Sequence, residues 1–329
     1  MTVRLHDVHM NDNVTSPPSM LRSEPDALIH PHRFAHKAMA TVFEIVCIHE
    51  DRSYAGQAAR AVFDLLDRLE TELTCYRSSS DISRINRLKS GDTTPVGPWA
   101  MECLLMARHF HLQTGGAFDV ALGSGLDAVE LSPADLRVRV RANNVRLDLG
   151  GIGKGYAVDR AGELLDEWGI CHALVHGGFS SVLALDAPPG RDGWPLTISL
   201  PAPGPSPVLA RMMARRECWS ASGIRKKDHI VDPRTGIPVR NRAAAWVSGA
   251  VAALSAAFPR EAQAGVPAGM FETGGSPSAV AEALSTAFMI MPLDEIANLC
   301  QKYPGIEARL LTSDPDNPSA QHLLTSFTR

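Results

Sequence analysis

Along this chain the spacing of apolar residues changes between two periods. Residues 41–48 alternate and are rich in β-branched and aromatic types, which predicts a strand, and from residue 53 to 73 Ala58, Val62, Leu65 and Leu69 recur at helical spacing. Residues 99–114 read as a second helix, stopped at Gly115 and Gly116, which tolerate the left-handed conformation of a C-cap. Residues 145–149 read as a strand and 156–168 as a helix ending at Gly169, with only a glycine turn between them. Short β-like runs at 172–176, 182–186, 196–200, 218–221 and 244–251 are separated by Gly and Pro clusters, so sheet dominates the middle of the chain. Helices are expected at 278–289 and 293–302 and a last strand at 308–312. Residues 253–277, rich in Ala, Gly and Pro without a persistent period, read as an inserted surface loop.

With 329 residues, 45% of them hydrophobic, the chain can bury one large core or two modest ones. The expectation is one elaborated domain over 35–315, between a disordered N-terminal tail (1–34) and a C-terminal tail (316–329). The first thirty residues are polar, carry Pro17, Pro18 and Pro25, and hold no apolar stretch suited to a signal peptide or membrane span, so a cytoplasmic protein is expected. Net charge is −4 with scattered Lys and Arg, leaving no basic stripe for a nucleic-acid backbone. The six cysteines are far apart without a C-x-x-C pair and read as reduced core residues.

Three constellations carry candidate chemistry. In Asp148-Leu149-Gly150-Gly151-Ile152-Gly153-Lys154-Gly155 a strand ends, glycines follow and a helix begins. Free backbone N–H groups and the helix dipole would favour an anion there, and Lys154 adds a mobile charge. A tight corner with a surface lysine explains the same residues equally well. In Glu282-Ala283-Leu284-Ser285-Thr286 the spacing puts Glu282, Ser285 and Thr286 on one helical face, with oxygens suited to a hard cation. A solvated Glu with back-bonded Ser and Thr is the commoner source of this pattern. In His229-Ile230-Val231-Asp232-Pro233-Arg234-Thr235-Gly236 a strong turn signal follows a histidine able to act as a base, or one with no role.

These pieces, in this order and with four more, resemble the ApbE family of FAD:protein FMN transferases. Ala38-Met39-Ala40-Thr41 is similar to its first motif, the run from Tyr76 to Asn86 (YRSSSDISRIN) to its second, and Gly116-Ala117-Phe118-Asp119-Val120 to its third. Ser220-Ala221-Ser222-Gly223 is similar to the segment preceding the His-Ile-Val-Asp-Pro turn, and the match runs from about Lys37 to Met289. The resemblance implies an α+β fold of antiparallel sheets with flanking helices, one FAD site, and Mg²⁺ (or Mn²⁺) beside the pyrophosphate. It implies FMN transfer from FAD to a Ser or Thr of a target flavoprotein, with release of AMP. By motif position Met39, Tyr76, Ala117, Phe118, Asp119, Asp148, Lys154 and Ile230 would hold FAD. Gly151, Glu282, Ser285 and Thr286 would hold the metal, and Lys154 and His229 would assist catalysis.

The chain departs from the family pattern at Phe179, where Asp usually follows the paired glycines, and at Glu282, where Asp is usual. The first departure removes a carboxylate, and the alternatives it raises are an FAD-binding paralogue without transfer, or an FAD pyrophosphatase giving FMN and AMP.

Overall fold

The computed structural model describes residues 21–23, 31–178, 180–199, 208–224, 230–258, 275–312 and 323–327. Its centre is an eight-stranded sheet. In spatial order the strands are Leu323–Phe327 (β16), Ile306–Thr312 (β15), Arg242–Ala250 (β14), Glu217–Gly223 (β11), Ser181–Ala184 (β8), Ala173–Gly177 (β7), Thr41–Cys47 (β3) and His32–Ala38 (β2). Every neighbouring pair is antiparallel. A second sheet has the order Leu21–Ser23 (β1), Trp194–Ser199 (β9), Val208–Ala214 (β10). A third has the order Thr93–Pro95 (β4), Arg137–Val140 (β6), Val129–Ser132 (β5), and Val231–Asp232 (β12) pairs with Ile237–Pro238 (β13). The helices are Arg52–Leu73 (α1), Asp81–Ile85 (α2), Pro98–Gln113 (α3), Gly153–Glu167 (α4), Val251–Ala256 (α5), Pro277–Phe288 (α6) and Leu293–Lys302 (α7). The fold is α+β, as expected, and no described helix is long and apolar enough to cross a membrane.

The central sheet is covered on both faces. Phe43, Ile45, Val175, Cys218 and Val247 point into the core shared with α1, α3, α4 and α6. The alternate residues Val46, Leu174, Trp219 and Trp246 pack with Trp194, Leu196 and Ile198 of β9 in a separate cluster. Period-2 geometry sends successive side chains to opposite faces, so strands buried on both faces read as apolar runs. The helix layer follows from the same spacing logic. In α1, Ala55, Ala58, Ala59, Val62, Leu65, Leu66, Leu69 and Leu73 are buried as one stripe, and the Asp51 carboxylate caps the helix by accepting from Ser53 N (2.7 Å) and Tyr54 N (3.1 Å). Each such Leu contributes about 1.5–3 kcal/mol on burial. Helix α6 is buried all round apart from Thr286, so its one acid, Glu282, needs partners inside the protein.

Several expectations are corrected. Residues 145–149 form no strand: they alternate correctly, with Val145, Leu147 and Leu149 buried, but their backbone is held by a side chain. Asn86 Nδ2 donates to Leu147 O (2.9 Å) and Asn86 Oδ1 accepts from Leu147 N (2.7 Å), a substitute for one rung of a ladder. Helix α4 starts at Gly153 rather than 156, so the glycines form its first turn. Helix α5 occupies the start of the expected 253–277 loop, and 259–274 lie outside the described residues. Strands β1, β2 and β16 take up residues placed in the tails. The β2 sequence HRFAHKA hides its strand character because it is an edge strand with half-exposed positions.

Between β2 and β3 the chain reverses in two residues, Met39 (φ 49°) and Ala40 (φ 56°). Both are left-handed, as a type I′ hairpin turn requires, yet neither is glycine. Such a conformation costs an ordinary residue roughly 1–2 kcal/mol. Ala40→Gly is therefore expected to raise unfolding stability by about 1 kcal/mol, measured by urea denaturation. Asn86→Ala, which strips Leu147 of both partners, is expected to lower it by about 2 kcal/mol in the same measurement.

Candidate active site

Where α4 begins, the β2–β3 turn, the 117–123 loop, the end of β11 and one flank of α6 surround a cleft of about 890 Å³. Met39, Ala117, Phe118, Asp119, Asp148, Gly151, Lys154, Ile230 and Thr286 line it. Tyr76 does not. It is 90% exposed and lines two neighbouring grooves, one shared with Met39, Asp148 and Lys154, the other with Leu122, Arg146 and Asp148. An aromatic ring left in water makes no core contact, so packing does not explain Tyr76. Phe118 is buried, and a Cβ on Gly151 would lie 3.2 Å from its ring, so it floors the cleft beneath the turn. His229 and Phe179 lie outside the described residues; their neighbours Ile230 and Ser180 line the cleft.

Several N–H groups of the glycine turn are bonded within the protein. Gly150 N donates to Asp148 Oδ1 (2.8 Å), Ile152 N and Gly153 N donate to Leu149 O (3.0 and 2.8 Å), and Gly155 N donates to Glu282 Oε2 (2.6 Å). The anions gripped at this helix start are thus the protein's own carboxylates. Lys154 Nζ donates to Gly150 O (2.9 Å), forms an ion pair with Glu282, and lies at the cleft wall. The glycines serve close packing instead: a Cβ on Gly155 would stand 2.3 Å from Ser278 O.

Asp119 turns both oxygens onto its own loop, accepting from Ala121 N (2.8 Å) and Gly123 N (2.8 Å). It shapes the wall rather than presenting a free carboxylate. Gly123 (φ +78°) lets that loop approach the Asp232–Gly236 turn, since a Cβ there would meet Pro233 O at 2.6 Å. In that turn Arg234 holds Asp232 in a two-point pair (2.9 and 2.8 Å), keeping its carboxyl below the usual carboxylate range.

The expected metal ligands divide into two groups. Thr286 faces the cleft, while Glu282 and Ser285 are buried behind its wall. Ser222, overlooked as a separate site residue, bridges them: its hydroxyl lies 3.0 Å from Ser285 Oγ and 3.2 Å from Thr286 Oγ1. The signal was present in β11, where Ser220 and Ser222 fall on the same face. Among the described residues no group of three or more His, Cys, Asp or Glu side chains gathers as a metal site. Hydroxyls with a single carboxylate suit a hard cation that completes its shell with water and phosphate oxygens, so these residues fit Mg²⁺.

Comparison with known proteins follows the same residues. The sequence pattern of the ApbE family matches residues 39–258. A Treponema pallidum protein named FAD:protein FMN transferase is 26% identical over 309 residues, 78% of this chain and 77% of its own length. A Salmonella typhimurium protein of the same name is 24% identical over 246 residues, 62% of this chain and 70% of its own. Among solved structures, the flavin transferase ApbE of Vibrio cholerae superposes with a TM-score of 0.71 at 17% identity, covering 90% of this chain and 97% of that one. The apo flavinyl transferase ApbE of Pseudomonas stutzeri gives 0.71 at 21% identity, covering 91% and 95%. These structures share the fold, and the sequence match spans most of the chain: this protein belongs to the ApbE family.

Proposed function

We propose that this protein transfers FMN from FAD to a serine or threonine hydroxyl of a target flavoprotein and releases AMP, with Mg²⁺ at the pyrophosphate. The observation that carries this reading is the meeting, in one cleft, of Met39, Asp119, the Asp148–Lys154 turn and Thr286, which come from separate segments of the chain. The cleft volume lies in the range of roughly 300–1,000 Å³ typical of small-molecule sites. The names of the relatives support flavin transfer.

In the proposed reaction the acceptor oxygen bonds to the FMN-side phosphorus, the bond from that phosphorus to the bridging oxygen breaks, and AMP leaves with the bridging oxygen. The hydroxyl proton passes to a base, for which His229 is the candidate. Lys154 neutralises pyrophosphate charge, and Met39, Tyr76 and the 117–119 segment orient the dinucleotide. Bound through Gly151, Glu282, Ser285 and Thr286, Mg²⁺ would supply further charge neutralisation. The six unpaired cysteines fit a reducing compartment, and we place the reaction in the cytoplasm. Phe179 favours a second reading, FAD binding without transfer, because it stands where the family pattern has a carboxylate.

The deciding experiment incubates the protein with FAD, Mg²⁺ and a flavoprotein domain bearing a Ser/Thr acceptor segment. AMP by chromatography together with protein-bound flavin fluorescence is expected; AMP with free FMN means hydrolysis, and tight FAD binding with neither product selects the binding paralogue. Lys154→Met is expected to slow AMP release about 100-fold, since a charge-assisted contact to the reacting phosphates is lost. Thr286→Ala is expected to raise the Mg²⁺ concentration for half-maximal rate about tenfold, and an unchanged Mg²⁺ response would remove Thr286 from the metal site.

A further inference from the structure

Among the buried acids that the proposed reaction leaves unused, Asp159 stands between two helices. Asp159, on α4, is 2% exposed and accepts from the backbone N–H groups of Ser278 (Oδ1, 2.8 Å) and Ala279 (Oδ2, 3.0 Å). These groups belong to the first turn of α6, whose own N-cap residue, Ser276, makes no side-chain cap bond. An N-terminal turn has donors without intrahelical partners, and here the cap is supplied by another helix. The next α4 residue, Arg160, reaches the same end, donating to Ser276 Oγ (3.3 Å). Burial pushes the Asp159 carboxyl up to about 7, against the pull of these N–H groups.

The two helices meet in reverse order, turn by turn. Asp159 holds residues 278 and 279, one turn back Gly155 N–H holds Glu282, and one turn before that Gly151 lies against Thr286, whose Oγ1 would stand 3.5 Å from a Cβ there. The last two contacts belong to the cleft and the oxygens behind it. The first is remote from it.

We propose that Asp159 is a positioning residue that sets the register of α6 against α4, and through that register the placement of Glu282 and Thr286 beside the glycine turn. Its significance for metal binding rests on the function proposed above. Losing the cap frees α6 to slide or tilt along α4, which moves the metal-side oxygens while leaving the Met39, Tyr76 and Asp119 side of the cleft in place.

The test compares Asp159→Ala with Leu165→Ala, a cavity-forming change at another fully buried α4 position. Mn²⁺ affinity with FAD present is read by electron paramagnetic resonance, metal-free FAD affinity by flavin fluorescence, and folding by circular dichroism. Asp159→Ala is expected to weaken Mn²⁺ at least tenfold and metal-free FAD less than twofold, while Leu165→Ala changes both less than twofold. Mn²⁺ affinity within twofold of the unsubstituted protein in Asp159→Ala, or an equal loss in Leu165→Ala, overturns the proposal. If the unsubstituted protein binds no Mn²⁺, the functional reading fails instead. Hydrogen exchange at the 282–286 amides then decides the register: faster in Asp159→Ala than in Leu165→Ala sustains it, and equal rates overturn it. The same exchange comparison decides if Asp159→Ala is too unstable for titration.

Discussion

A carboxylate shut away from water between two helices must be met by donors, and that demand governs where α4 and α6 can sit. Glu282 is 4% exposed, and its oxygens go to the Gly155 N–H and the Lys154 ammonium. An unanswered buried charge costs several kcal/mol, so the helices are tied at this point. The tie needs glycine at 155, because any Cβ there would run into the Ser278 backbone. It also places Lys154 at the cleft wall, coupling the stability of the helix pair to the position of a cation there.

The central sheet contributes the rigidity that such a site needs. With Phe43, Ile45 and Val175 facing the helices and Val46, Leu174 and Trp219 facing β9, neither face of these strands is free to shift. The cleft forms at the margin of this packed body, where the Met39–Ala40 turn, the 119–123 loop and the end of β11 converge. The left-handed strain at Met39 and Ala40 sits at this margin too, where the β2–β3 pairing on either side holds it.

Much of this was legible in the sequence because burial imposes periods. Helices α1, α3 and α6 appear within a residue or two of their predicted limits, and the strands at 41–47 and 173–177 read directly from their apolar runs. Edge strand β2 was hidden, since one exposed flank removes the apolar signal. Residues 145–149 show the opposite failure: their alternation records two-sided burial contrast, which a strand and an unpaired extended segment share. At the site, residue identities were legible and their bonding only in part. The Asp148 and Asp119 bonds to N–H groups two residues on follow the local habit of Asp in turns, but no spacing rule announces that the Gly155 N–H goes to Glu282. That bond depends on tertiary packing, which brings two residues 127 positions apart together.

Asn86 carries a wider consequence. A conventional strand is registered by one neighbouring ladder, whereas the stretch leading into Asp148 is aligned by scattered partners: the Asn86 amide on Leu147, Ser124 Oγ on Arg146 N and Val120 O on Asp148 N. A single substitution at Asn86 removes two of these contacts at once, while those at Arg146 and Asp148 remain. The wall of the cleft at Asp148 is thus tuned piecemeal, by residues far apart in the chain, each able to change alone.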